Sequence, residues 1–176
     1  MNRVIYILLA MFIVLCSTAS PTRAKQPGQE TLSSLNTILE TVSYSTQNPR
    51  NSNIEKWNNS YQFAVRGNHF IITYRLDNTF LKGDKIQDHY IETGTYSAPL
   101  DLLFNAEIFP SPQMINLAIS CNQGAKCFTQ KYSGEYTQKN KSTKSDRTKS
   151  LNKIGLILPE DLIEPTMDLL QEFFQP

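Results

Sequence analysis

Leu32, Leu35, Ile38, Leu39 and Val42 recur at steps of three and four residues, which predicts an amphipathic helix over roughly 30–43. From Trp57 the period changes to two. Tyr61, Phe63 and Val65 alternate with Ser60, Gln62 and Arg66, and Gly67-Asn68 makes a tight turn. Phe70, Ile72, Tyr74 and Leu76 then share a face, so a β-hairpin is expected here. Further strands are expected near Asp88–Tyr96 and Met114–Cys121, where Ile115, Leu117, Ile119 and Cys121 fall on one side. Cys127–Tyr132 and Leu151–Leu158 bring the set to six or seven strands. Pro99 to Leu103 reads as a short helical turn or edge connection.

The segment Gln138 to Ser150 has no apolar residue and is expected to be a mobile loop. Leu162, Leu169, Leu170 and Phe173 mark a second amphipathic helix over roughly 162–174. Pro165 fits only a first turn, so this helix is expected to begin close to Glu164. The order is helix, antiparallel meander, helix. That is an α+β class, with a strongly curved or partly open sheet closed by the last helix.

The N-terminus adds a destination. Arg3 precedes the apolar run Val4–Cys16, and the small, polar stretch Ser17–Ala24 follows, the layout of a secretory signal peptide. The run spans roughly 20 Å, short of the roughly 30 Å hydrocarbon core, so a permanent transmembrane helix is not expected. Bulky Leu15 before Cys16 argues against a lipoprotein. Cleavage is expected after Ala19 or Ala24, and with 1–24 taken as the signal peptide one secreted α+β domain remains, 25–176. Its compartment is periplasmic or extracellular, and it is not an integral membrane protein once the leader is gone. Losing the leader also removes Cys16 and leaves Cys121 and Cys127, a pair expected to bond in an oxidising compartment. With a strand on either side and Gly124 between them, they read as a hairpin stapled near its tip.

Trp57, the first hairpin, the Tyr96-x-x-Pro99-Leu100 step, the Cys121 to Cys127 hairpin and the final helix together resemble pleckstrin-homology-like barrels. More narrowly, the arrangement resembles small secreted bacterial proteins of unknown function that combine such a barrel with a hairpin disulfide. The resemblance covers about 57–174. It implies a scaffold for peptides, proteins or lipid headgroups and supplies no catalytic residues.

Charge and chemistry narrow the function. With 17 basic and 16 acidic residues the formal charge is +1, which lacks the excess a nucleic-acid binder needs. No nucleophile elbow, phosphate loop, dinucleotide fingerprint or zinc-protease motif occurs. A non-catalytic protein without cofactor or metal is therefore expected, with a hydrolase lacking any motif as the remaining catalytic alternative. His69 reads as a surface histidine. Asp84, Asp88 and His89 read as a polar turn rather than a metal site. Glu160, Asp161 and Glu164 complement the dipole of the last helix.

One segment stands out as a candidate site. Lys139, Lys141, Lys144, Arg147 and Lys149 against Asp146 give a net charge of +4 within 138–150. These cations are candidates for contact with an anionic surface such as lipid headgroups, cell-wall polymer or an acidic protein. The expected function is binding of a macromolecular partner or an anionic envelope surface. The alternative is a carrier that encloses an apolar small ligand or lipid between sheet and helices.

Overall fold

The computed structural model describes residues 28–47, 53–83, 85–110, 115–138 and 141–174. The predicted leader, Asp84 and Lys139 lie outside the described residues. The chain forms helix α1 (Gln29–Leu39), strands β1 (Val42–Gln47), β2 (Asn53–Arg66), β3 (His69–Lys82) and β4 (Lys85–Pro99), and a 3-10 turn over Leu100–Leu102. There follow β5 (Leu103–Pro110), β6 (Ile115–Cys121), a 3-10 turn over Asn122–Gly124, β7 (Phe128–Gln138), β8 (Lys141–Leu151), β9 (Lys153–Leu158) and helix α2 (Glu160–Phe174). The fold is α+β and every strand pair is antiparallel.

The strand count departs from the six or seven expected in a strongly curved sheet or partly open barrel. Among the described residues nine strands form two sheets, one of order β1-β2-β3-β4-β7-β8 and one of order β5-β6-β9. β1 and β8 are the edges of the larger sheet, so it stays open.

The alternation read at Trp57 continues through the whole large sheet. Tyr61, Tyr74, Gly94 and Tyr132 sit side by side across four strands, as do Phe63, Ile72, Tyr96 and Gln130. Cross-strand partners share a face, and this inner face carries the core. The small sheet contributes Leu117, Ile119, Ile154, Leu156 and Leu158, and α1 contributes Leu35 and Leu39, all buried in the same cluster. Fully burying one such side chain is worth about 1.5–3 kcal/mol. The outer face is polar, with Thr73, Thr93, Lys131 and Thr148 among its residues.

Two side chains cross between layers to cap backbone. Asn36 of α1 donates through Nδ2 to the Phe63 carbonyl (3.0 Å) and accepts from the Phe63 N–H at Oδ1 (2.6 Å). β1 pairs with β2 only as far as Asn59, so Asn36 takes up hydrogen bonds on the stretch of β2 that β1 does not cover. Tyr61 does the same for β9: its hydroxyl accepts from the Ile157 N–H (3.0 Å) and donates to the Ile157 carbonyl (3.4 Å).

Four elements differ from the sequence reading. Helix α1 ends at Leu39, and Val42 begins a strand, because Val42-Ser43-Tyr44-Ser45-Thr46 alternates and Val42 is buried against β2. Helix α2 starts at Glu160, with Pro165 inside it. The missing proline N–H orphans only the Asp161 carbonyl, and both residues are exposed to water. The segment expected to be a mobile loop is strand β8, paired with β7 from Phe128↔Leu151 to Gln138↔Lys141. An edge strand that buries neither face needs hydrogen-bonding complementarity and no apolar residues. Finally, Cys121 and Cys127 are bonded, but they do not staple a hairpin. Cys121 ends β6 in the small sheet and Cys127 precedes β7 in the large one, so the bond ties the crossover between sheets. Closing a loop of about seven residues is worth roughly 2.4 kcal/mol in the chain-entropy account.

Candidate functional site

β8 carries four of the five predicted cations along a free edge, drawn out to roughly 35 Å at about 3.3 Å per residue. Their pairing assigns each to a face. Lys141 lies opposite Gln138, Arg147 opposite Tyr132 and Lys149 opposite Gln130, all on the inner-face register. Lys144 lies opposite Glu135 on the outer face and forms an ion pair with it at 3.6 Å. That pair is exposed and worth little by itself. A hydrogen bond from Ser142 and the Lys144 charge hold the Glu135 carboxyl below its ordinary value. Lys149 sits 5.2 Å above the Tyr132 ring, a cation–π contact that orients it. Among the described residues, Lys141, Arg147 and Lys149 have no carboxylate partner. Beside them, a shallow depression of about 430 Å3 is walled by Lys131, Tyr132, Asp146, Arg147 and the hydroxyls of Thr93, Ser133 and Thr148.

Inward from this edge lies a polar network that the sequence reading missed. Glu92 is 9% exposed and, among the described residues, has no ion-pair partner. Tyr74 donates to its Oε1 (2.7 Å) and Tyr90 donates to its Oε2. Gln130 Nε2 donates to the Tyr74 hydroxyl (2.7 Å) and to the Tyr96 hydroxyl (3.2 Å). Burial first, and then the Glu92 carboxylate, push the Tyr74 and Tyr90 phenols well above their ordinary value. Burial pushes Tyr96 up to about 12. These phenols are therefore held as protonated hydrogen-bond donors. Gly94 makes the packing possible: a Cβ there would meet the Lys131 carbonyl at 2.5 Å and the Tyr74 hydroxyl at 2.8 Å. Nearer β1, Trp57 stacks on Tyr44 with ring centroids 6.0 Å apart. The signal available in the sequence was an acid, a glutamine and three tyrosines at inward positions, where alternation predicts only apolar residues.

The remaining predicted residues are placed as follows. His69 is exposed at the start of β3. His89 is not in a turn: it lies within β4, with Nε2 2.8 Å from Asp77 Oδ1, and Arg75 adds a 3.0 Å ion pair to the same carboxylate. Burial works to raise the Asp77 carboxyl, but hydrogen bonds from His89 and Arg75 outweigh it and hold it below its ordinary value. Asp88 belongs to the inner-face register and His89 to the outer, so the two diverge. No group of three metal-ligating side chains converges among the described residues. Glu160 and Asp161 occupy the first turn of α2. A second groove, about 930 Å3, runs between α1 and β2 and is walled by Leu32, Val65 and Phe173 together with Glu40 and Arg66.

No known protein family, no curated protein and no solved structure matches this chain, so nothing in these comparisons bears on the resemblance to pleckstrin-homology-like secreted proteins. No helix among the described residues is long and apolar enough to cross a membrane. The disulfide is compatible with an exported protein.

Proposed function

We propose that the chain is an exported, non-catalytic binding protein that engages an anionic surface of the cell envelope through the edge strand β8. The observation that carries this reading is the row of Lys141, Arg147 and Lys149, three cations on one face of an unpaired edge with no carboxylate partner among the described residues. An anionic surface supplies the missing counter-charges, at about 1 kcal/mol for each lysine or arginine. The carrier alternative draws no support from the two grooves, which are open to solvent and have charged side chains on their walls.

Deleting 140–148 would remove most of a strand, so the test is charge removal. The triple variant Lys141→Gln, Arg147→Gln, Lys149→Gln is expected to bind anionic vesicles or isolated cell-wall polymer about a hundredfold more weakly in co-sedimentation at low salt. Lys144→Gln, which loses a cation already paired on the other face, is expected to cost much less. Equal retention of the triple variant and the parent protein overturns the assignment.

A further inference from the structure

The end of the large sheet where β3 turns into β4 carries a combination that the rest of the outer face lacks. Ile54, Leu81 and Ile86 are consecutive cross-strand partners and form an apolar row across three strands. Ile86 is 65% exposed, the most exposed large apolar side chain among the described residues. Lysines bracket this row. Lys56 lies one register position inward on the same face. Lys82 and Lys85 oppose each other directly at the end of the hairpin. Two like charges in register destabilise a strand pair. Lys82 and Lys85 lie on the face opposite the apolar row, and Glu55 and Asp88, both opposite Phe80, share that face two residues back from Lys82. Glu55 accepts a hydrogen bond from Asn78. By sequence, Asp84 adds one negative charge between Lys82 and Lys85. Lys141 reaches the same end, because Asp88 pairs with Gln138 and Gln138 with Lys141.

We infer that this tip docks on an anionic lipid bilayer, with Ile86 entering the interface and Lys56, Lys82, Lys85 and Lys141 lying on lipid phosphates. The inference rests on the proposed function and narrows its surface to a membrane. Three side chains are far too few for a stable protein interface, which needs on the order of 800 Å2 from each partner. A bilayer accepts an isolated apolar wedge because its interior is fluid, and the lysine collar complements anionic headgroups. A hydrated wall polymer would account for the lysines and leave the apolar row without a role.

The test uses the exported protein with Ile86→Cys carrying an environment-sensitive fluorophore, alongside unlabelled Ile86→Ser and the double variant Lys82→Gln, Lys85→Gln. The probes are phosphatidylcholine vesicles with and without phosphatidylglycerol. A blue shift only on the anionic vesicles is expected, with about tenfold weaker partitioning for Ile86→Ser. The lysine double variant is expected to bind about thirtyfold more weakly, a loss that salt erases. Position 86 is exposed, so unchanged urea unfolding of both variants shows that the fold is intact. Vesicle binding without a spectral shift, and with Ile86→Ser unaffected, overturns the insertion and leaves the charge reading standing. Retention on wall polymer but on no vesicle overturns the membrane and spares the role of β8. Retention on neither sinks both.

Discussion

Removing one oxygen, with Tyr74→Phe, probes the network around Glu92 directly. The Tyr74 ring is 2% exposed and the phenyl replacement keeps its packing, so the loss is confined to hydrogen bonds. Two disappear: the bond donated to the Glu92 carboxylate and the bond accepted from Gln130, both 2.7 Å. A bond to a charged acceptor is worth about 1.5–3 kcal/mol and a neutral one about 0.5–1.5. Gln130 keeps Tyr96 at 3.2 Å, and Glu92 Oε1 keeps only a long contact from Gln130 at 3.5 Å. The expected cost is therefore about 2–4 kcal/mol, a large share of the roughly 5–15 kcal/mol that holds a typical domain. Tyr96→Phe removes a single bond and should cost about 1 kcal/mol. Urea unfolding followed by Trp57 fluorescence measures both, since Trp57 is the chain's one tryptophan. At about 2–4 °C per kcal/mol, Tyr74→Phe should also lower Tm by about 4–16 °C. A Tyr74→Phe midpoint that matches the parent, or a larger loss for Tyr96→Phe, would refute the reasoning.

Asn36→Ala strips the hydrogen bonds from both Phe63 backbone groups and should cost about 1–3 kcal/mol by urea unfolding, with a null result removing Asn36 as the cap of β2. The Asp77 carboxyl is held low in the fold, so its contribution is complete above about pH 4 and is lost as pH falls through its folded value. Unfolding midpoints between about pH 5 and pH 2 should therefore fall more steeply for the parent than for Asp77→Asn, and parallel slopes would contradict the ion-pair account.

The elements legible in the sequence are those whose burial imposes a period. The hairpin at Gly67, β6 and the face of α2 could all be read because Phe63, Phe70, Leu117 and Leu170 must point inward. β8 was illegible for the opposite reason. Neither of its faces is buried, so no position along Lys141–Leu151 is constrained to be apolar. β1 was hidden because Val42 fits the helical stripe at a four-residue step and a strand alternation equally well. The cysteine pair was read correctly, but local sequence cannot say that β6 and β7 join different sheets. That depends on β9, which returns from more than thirty residues away to pair with β6. The five cations were found by composition, while the separation of the four on β8 onto two faces follows only from the β7 register.

The placement of the buried polar network has its own logic. At one end of the large sheet Phe70 packs on Phe63 and on Phe173 and Phe174 of α2. Lys56, Lys82, Lys85, Lys141 and the apolar row lie toward the other end, where β2 begins, β3 meets β4 and β7 meets β8. Apolar packing alone tolerates a slip of two residues between strands, because the same face stays inward. Tyr74 on β3, Glu92 on β4 and Gln130 on β7 tolerate none, since a shift of that size breaks every bond they share. Sitting midway along the strands, the network fixes the register of the three strands that carry the hairpin ends. It thereby fixes where Lys82, Lys85 and, through β7, Lys141 stand relative to one another. On that account Tyr74→Phe should weaken surface binding more than its stability cost alone implies, and full binding by the folded variant would separate register from recognition.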